Sequence, residues 1–133
     1  MNCVLVDTNV FVSALVFGGK PAIALQMIEA LGIEIAISAE LESELVETLR
    51  DKFGWSAERV NEARDRLWRN ARHVVPAPLA GVVRDPGDDH VVAAALASGA
   101  SLIVTGDKDL LSLSQFRGIR IVAPSTFIEL FKI

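Results

Sequence analysis

Carboxylates dominate the residues of this chain that could do chemistry, and several stand where a charge is costly to keep. Asp7 closes the apolar run Cys3-Val4-Leu5-Val6, and Asp107 follows Leu102-Ile103-Val104-Thr105-Gly106. An ionised carboxylate at the end of a buried strand loses much of its hydration and needs a partner. One such acid is as readily a cap for the next helix or loop. Two at the same edge of one sheet favour a site. A third group lies in Arg84-Asp85-Pro86-Gly87-Asp88-Asp89-His90. Asp85 reads as a turn residue and Asp88 as a helix N-cap. Asp89 falls in the first helical turn, where its charge suits the helix dipole and its oxygens can still face a ligand. The fourth candidate is among Glu40, Glu42, Glu44 and Glu47, most of which must be ordinary solvated surface. Periodicity does not choose between them: Glu44 flanks the Leu41/Leu45/Leu49 stripe, and Glu42 lies nearer its middle.

Four clustered carboxylates cannot all stay ionised without counter-charge. Hard divalent cations supply it through oxygen ligands, which agrees with a sequence that has no His or Cys cluster. Such ions lower the pKa of a bound water, align it with a phosphodiester and stabilise the leaving oxygen. No side-chain nucleophile is needed, and the chain has no Tyr. Cys3 is expected inside a strand, His73 at a strand end, and His90 on the surface of a helix start rather than as a base.

Strands are expected at Cys3-Val6, at Ile33-Ile37, at His73-Val75 before Pro76, at Leu102-Thr105 and at Arg120-Val122. Helices are expected over Phe11-Phe17, from Pro21 to Leu31, from Ser38 or Ala39 to near Gly54, and after Ser56. Three more are expected over Val91-Ala97, Asp107-Leu113 and Pro124-Phe131. This alternation predicts a single domain over residues 1–133, of α/β class, as a three-layer α/β/α sandwich with a central five-stranded parallel sheet.

Hydrophobic residues form 51% of the 133 residues, and the mean hydropathy of +0.39 predicts a sizeable core. The longest apolar stretch free of charge or Gly, Val91 to Ser98, is too short to cross a bilayer. The N-terminus lacks the pattern of a signal peptide. With one cysteine there is no internal disulfide, and the expected compartment is the cytoplasm. A net charge of −4 and a pI near 5.1 argue against a nucleic-acid binder at face value. Acids gathered to hold cations weaken that argument, because bound cations would make the site attractive to phosphate.

Val6-Asp7-Thr8-Asn9, Ser38 with Glu44-Leu45, Asp89-His90-Val91-Val92-Ala93-Ala94 and Val104-Thr105-Gly106-Asp107 together resemble the PIN domain family. The elements arrive in the family's order and span nearly the whole chain. They are most similar to the short prokaryotic PIN proteins classed as toxins of toxin–antitoxin systems, the VapC-like group. The resemblance implies a single-strand-specific endoribonuclease in which Asp7, Glu44, Asp89 and Asp107 hold Mg²⁺ or Mn²⁺. It implies Asp89 rather than Asp88 as the third acid, with Asn9 and Thr105 orienting the shell and Asp88 and Asp109 as supporting acids. The implied partners are an RNA substrate, an antitoxin protein and a second copy of the chain in a homodimer, with no membrane.

For substrate contact, Lys20 and Lys108 are the cations expected near the metals. Arg59, Arg64, Arg66, Arg69 and Arg72 crowd one helix with Glu58, Glu62 and Asp65, which reads as a solvated, ion-paired face. Trp55 and Trp68 read as packing residues. Rival readings are a catalytically silent PIN-fold module that binds RNA or a partner, and a receiver-like phosphoacceptor. The second would want an acidic pair just after the first strand, where Thr8-Asn9 stand. A dehalogenase-type phosphatase would want a second Asp where Asn9 is.

Overall fold

The sheet is built around β1 (Cys3–Val6), whose residues are all buried. The computed structural model describes residues 3–132. After β1 come α1 (Thr8–Val16), α2 (Gly19–Ala30), β2 (Glu34–Ser38) and α3 (Ala39–Glu47), which runs on into a π-helical turn at Thr48–Lys52. Then follow α4 (Ala57–Trp68), β3 (Arg72–Val74), a 3₁₀ turn at Pro86–Asp88, α5 (Asp89–Ser98) and β4 (Leu102–Val104). The chain closes with α6 (Lys108–Leu113), β5 (Gln115–Phe116), β6 (Ile119–Val122) and α7 (Pro124–Phe131).

The strand order is β3-β2-β1-β4-β6-β5, and every pairing is parallel except β5 with β6. Helix α5 lies across β1 to β4, while α1 packs on α2 and α3, and α2 on α7. These helices form the outer layers of the expected three-layer sandwich. The core is apolar and closed: Val4, Leu5, Ile103, Phe11 and Phe127 have no exposed surface. No single helix among the described residues is long and apolar enough to cross a membrane.

Local sequence accounts for where the helices begin. Ser38 accepts from the Leu41 N–H at 3.3 Å and Ser56 from the Arg59 N–H at 3.2 Å, each satisfying an amide that the helix leaves free. Helix α5 ends at Gly99, which adopts φ 71° in the left-handed region that a side chain disfavours.

The sheet has six strands where the sequence predicts five. The extra strand, β5, forms a hairpin with β6 around Arg117 and Gly118, both at positive φ (49° and 83°). A two-residue hairpin turn of this kind normally announces itself by Asn-Gly or Asp-Gly. Arginine in the first place hides it. Strand β3 is also one residue earlier than expected, because Val75 before Pro76 is 96% exposed and leaves the ladder.

Candidate metal centre

The carboxyl ends of β1 and β4 are neighbours, since Val6 pairs with Val104. Asp7 and Asp107 leave the sheet there side by side. Asp7 is 5% exposed. One oxygen, Oδ1, accepts from the Thr8 N–H at 2.8 Å. The other, Oδ2, accepts from the Asn9 amide at 3.1 Å and from the Thr105 hydroxyl at 2.8 Å. That hydroxyl accepts in turn from the Asp107 N–H at 3.0 Å. The Gly106 N–H meets the Asn9 carbonyl oxygen at 3.1 Å. Asn9 and Thr105 therefore lace the two strand ends together and orient Asp7. Asp107 also caps α6, accepting from the Leu110 N–H at 3.0 Å. Cap and site are not alternatives here; both acids start a helix and both face the same edge.

Asp88 completes the inner group. Its carboxyl is pushed up to about 7 by burial, by a hydrogen bond shared with Asp107, and by the charges of Asp107, Asp7 and Asp85. Its Oδ2 is buried and has no hydrogen-bond partner. Burial also raises Asp7, helped by the charges of Glu44 and Asp107 and opposed by the bonds from Thr105 and Thr8. These acids repel one another. A buried oxygen without a partner beside like charges wants a proton or a cation, so the all-oxygen donor set fits a hard divalent ion.

The structure gives Asp88 and Asp89 different surroundings. The Asp89 carboxylate is 4% exposed and turns away from the acids into the loop after β3. It accepts there from the amides of Gly81 at 3.0 Å, Val82 at 3.1 Å and Val83 at 2.7 Å. Asp88 stands at the N-cap of α5, as the sequence suggests, but makes no side-chain cap bond to it.

Glu44 is the member of α3 whose charge reaches Asp7. Its carboxylate is in contact with Nε2 of His90. Glu42 faces elsewhere, 3.1 Å from Arg64 and 3.4 Å from His73. His90 is not the surface residue that was expected: its side chain is 14% exposed, with Nδ1 3.6 Å from Glu40. The hydrogen bond to Glu44 raises its pKa, against burial and with the charges of Glu44, Glu40 and Asp7. Only its place one residue after Asp89 could have flagged it in the sequence.

Asp85, Asp88 and Asp109 bring carboxylate oxygens within 4.8 Å of one another. Asp88 belongs to both this group and the inner one. Asp85 is exposed and already accepts from the Gly87 N–H at 2.9 Å, while Asp109 lies 4.0 Å from Arg84. These two form an outer rim. The inner set, where burial and like charge are greatest, has the stronger demand for a cation. Beside it opens a cleft of about 570 Å³ lined by Asn9, Ser13, Gly106, Asp107, Lys108 and Asp109. Lys108 stands at the cleft as expected. Lys20 does not line it, and lies on the first turn of α2 rather than in a loop.

The arginines divide. Arg64 pairs with Glu42, and Arg59 lies 3.8 Å over the Trp55 ring. Arg72 belongs to β3 rather than the helix, 2.6 Å from Glu34 and donating to the Ser98 carbonyl at 2.8 Å. Trp68 is core, edge-on to Phe11 at 5.4 Å.

The family model of the PIN domain matches residues 3–109, from β1 into the start of α6. This chain belongs to the PIN domain family. The matched residues include every acid described above, whereas β5, β6 and α7 lie beyond them. PIN domains are generally metal-dependent nucleases, and this one carries a carboxylate cluster able to bind a divalent ion. A comparison with curated proteins returned no match.

Proposed function

We propose that this PIN domain is a Mg²⁺- or Mn²⁺-dependent endoribonuclease that hydrolyses single-stranded RNA. The observation that carries the reading is the buried, unpartnered Oδ2 of Asp88, set among the charges of Asp7, Asp107 and Asp85. Asp7, Glu44, Asp88 and Asp107 would hold the ion. When bound, it would activate water and stabilise charge building on the phosphate and leaving oxygen. Asn9 and Thr105 keep Asp7 fixed during the reaction, and Lys108 offers the strand a cation beside Asp107. The adjoining cleft, about 570 Å³, gives a strand access beside Asp107 and Lys108, and the single-strand preference rests on the family resemblance. The test is cleavage of single-stranded and duplex RNA with Mn²⁺, Mg²⁺ or EDTA. Equal cutting in excess chelator would overturn the reading.

The toxin role rests on the resemblance of the motif run to the VapC-like group. On that role, expression in bacterial cells arrests growth and Glu44→Gln relieves the arrest. An antitoxin would be the protein that restores growth on co-expression. A homodimer would bury Ile23, Leu31 and Leu130, which are 45–46% exposed on or next to the packed pair α2 and α7. Sedimentation showing only monomer at micromolar concentration would remove the dimer.

A further inference from the structure

Glu44 is an unusual choice for a fixed ligand. Its side chain is 44% exposed on a helix whose apolar face, Leu41 and Leu45, points inward. A glutamate in such a position normally samples several rotamers, and fixing one of them costs side-chain entropy. One contact crosses from α5 to hold it. The His90 imidazole reaches over from the first turn of α5 and places Nε2 against Glu44 Oε1. Its other nitrogen is 3.6 Å from Glu40, so a carboxylate stands on either side of the ring. The turn that bears His90 is itself anchored, because the preceding residue, Asp89, is held by three loop amides.

We propose that His90 is a positioning residue that holds Glu44 in its metal-binding rotamer. The inference rests on the metal reading above and deepens it. Partners of metal ligands commonly act this way, and their loss typically lowers metal affinity about 10- to 100-fold. His90 touches neither substrate nor metal in this scheme; its effect passes through Glu44 alone.

The test is Mn²⁺ binding to the full chain, followed by the spin-resonance signal of free Mn²⁺, for wild type, His90→Ala, His90→Gln, Glu44→Gln and the His90→Ala/Glu44→Gln double variant. His90→Ala should weaken binding about 10- to 100-fold, and His90→Gln, whose amide can still donate, should recover most of it. In the Glu44→Gln background, His90→Ala should cost nothing further, since its route is already cut. The proposal is overturned if His90→Ala binds as tightly as wild type, or if its loss is equal in both backgrounds. His90→Gln keeps the test informative should the alanine variant fold poorly. A wild-type protein that takes up no Mn²⁺ would overturn the metal reading and this inference together, a result distinct from uncoupled variants.

Discussion

Asp88 and Asp89 are neighbours in the chain, yet one keeps a buried carboxylate oxygen without a partner among like charges and the other is saturated by three backbone amides. Successive helical side chains diverge by about 100°. With Asp89 clamped into the loop, Asp88 is aimed at Asp107 and Asp7.

Asp88 therefore predicts an acid-side stability profile with a definite sign. Its folded pKa lies near 7, well above the ordinary carboxylate value, so the folded state keeps a proton that the unfolded chain releases. Stability from this group is whole below pH 4 and is lost as pH rises towards 7. In EDTA, melting between pH 4 and 8 should show wild type falling relative to Asp88→Asn, with the variant the more stable near neutrality. Asp7, raised through burial, and His90, raised through Glu44, shift stability in the same direction; comparison with the variant isolates Asp88. Added Mn²⁺ should reverse the order at pH 7. A difference that does not vary with pH would refute the assignment.

Asp89→Asn should behave in the other manner. The amide keeps one acceptor oxygen but points an NH₂ at backbone N–H groups. Leaving buried donors unpaired costs about 1–3 kcal/mol. Urea unfolding should show that loss with or without Mn²⁺, and brief proteolysis should nick residues 75–85 faster. Undiminished stability would mean that the clamp carries no weight.

Glu44→Gln should reduce cleavage by more than about 100-fold, beyond what loss of an outer partner produces. Glu42→Gln should leave cleavage unchanged, because Glu42 is engaged by Arg64 and His73. Initial rates on a labelled single-stranded RNA read both. The reverse pattern would move the ligand by half a turn of α3.

Metal removal gives the broadest check. EDTA should abolish cleavage, and Mg²⁺ or Mn²⁺ should restore it. The ions should also raise the melting temperature of wild type, since a ligand that binds only the folded state stabilises it. No such rise should appear when Asp7 is replaced by Asn.

The sheet and two of its acids could be read directly from the chain, since Asp7 and Asp107 end short apolar runs that have to be buried. Glu44 could not be separated from Glu42, because the separating contact comes from His90, more than forty residues away. The contrast between Asp88 and Asp89 is hidden in the sequence for a related reason: it depends on a loop that folds back to offer its amides. No local pattern encodes that return. The β5–β6 hairpin was missed because its turn places arginine at positive φ.

Both margins of the sheet are short. β5 has two residues, and β3 has three before the chain leaves the ladder at Val75 and reaches Pro76. An approaching strand would find few free backbone groups to pair with on either side, and a proline blocks extension at one of them. The protein is thereby protected from growing edge to edge into fibres. Strand addition from another chain, a second copy included, is disfavoured at both edges.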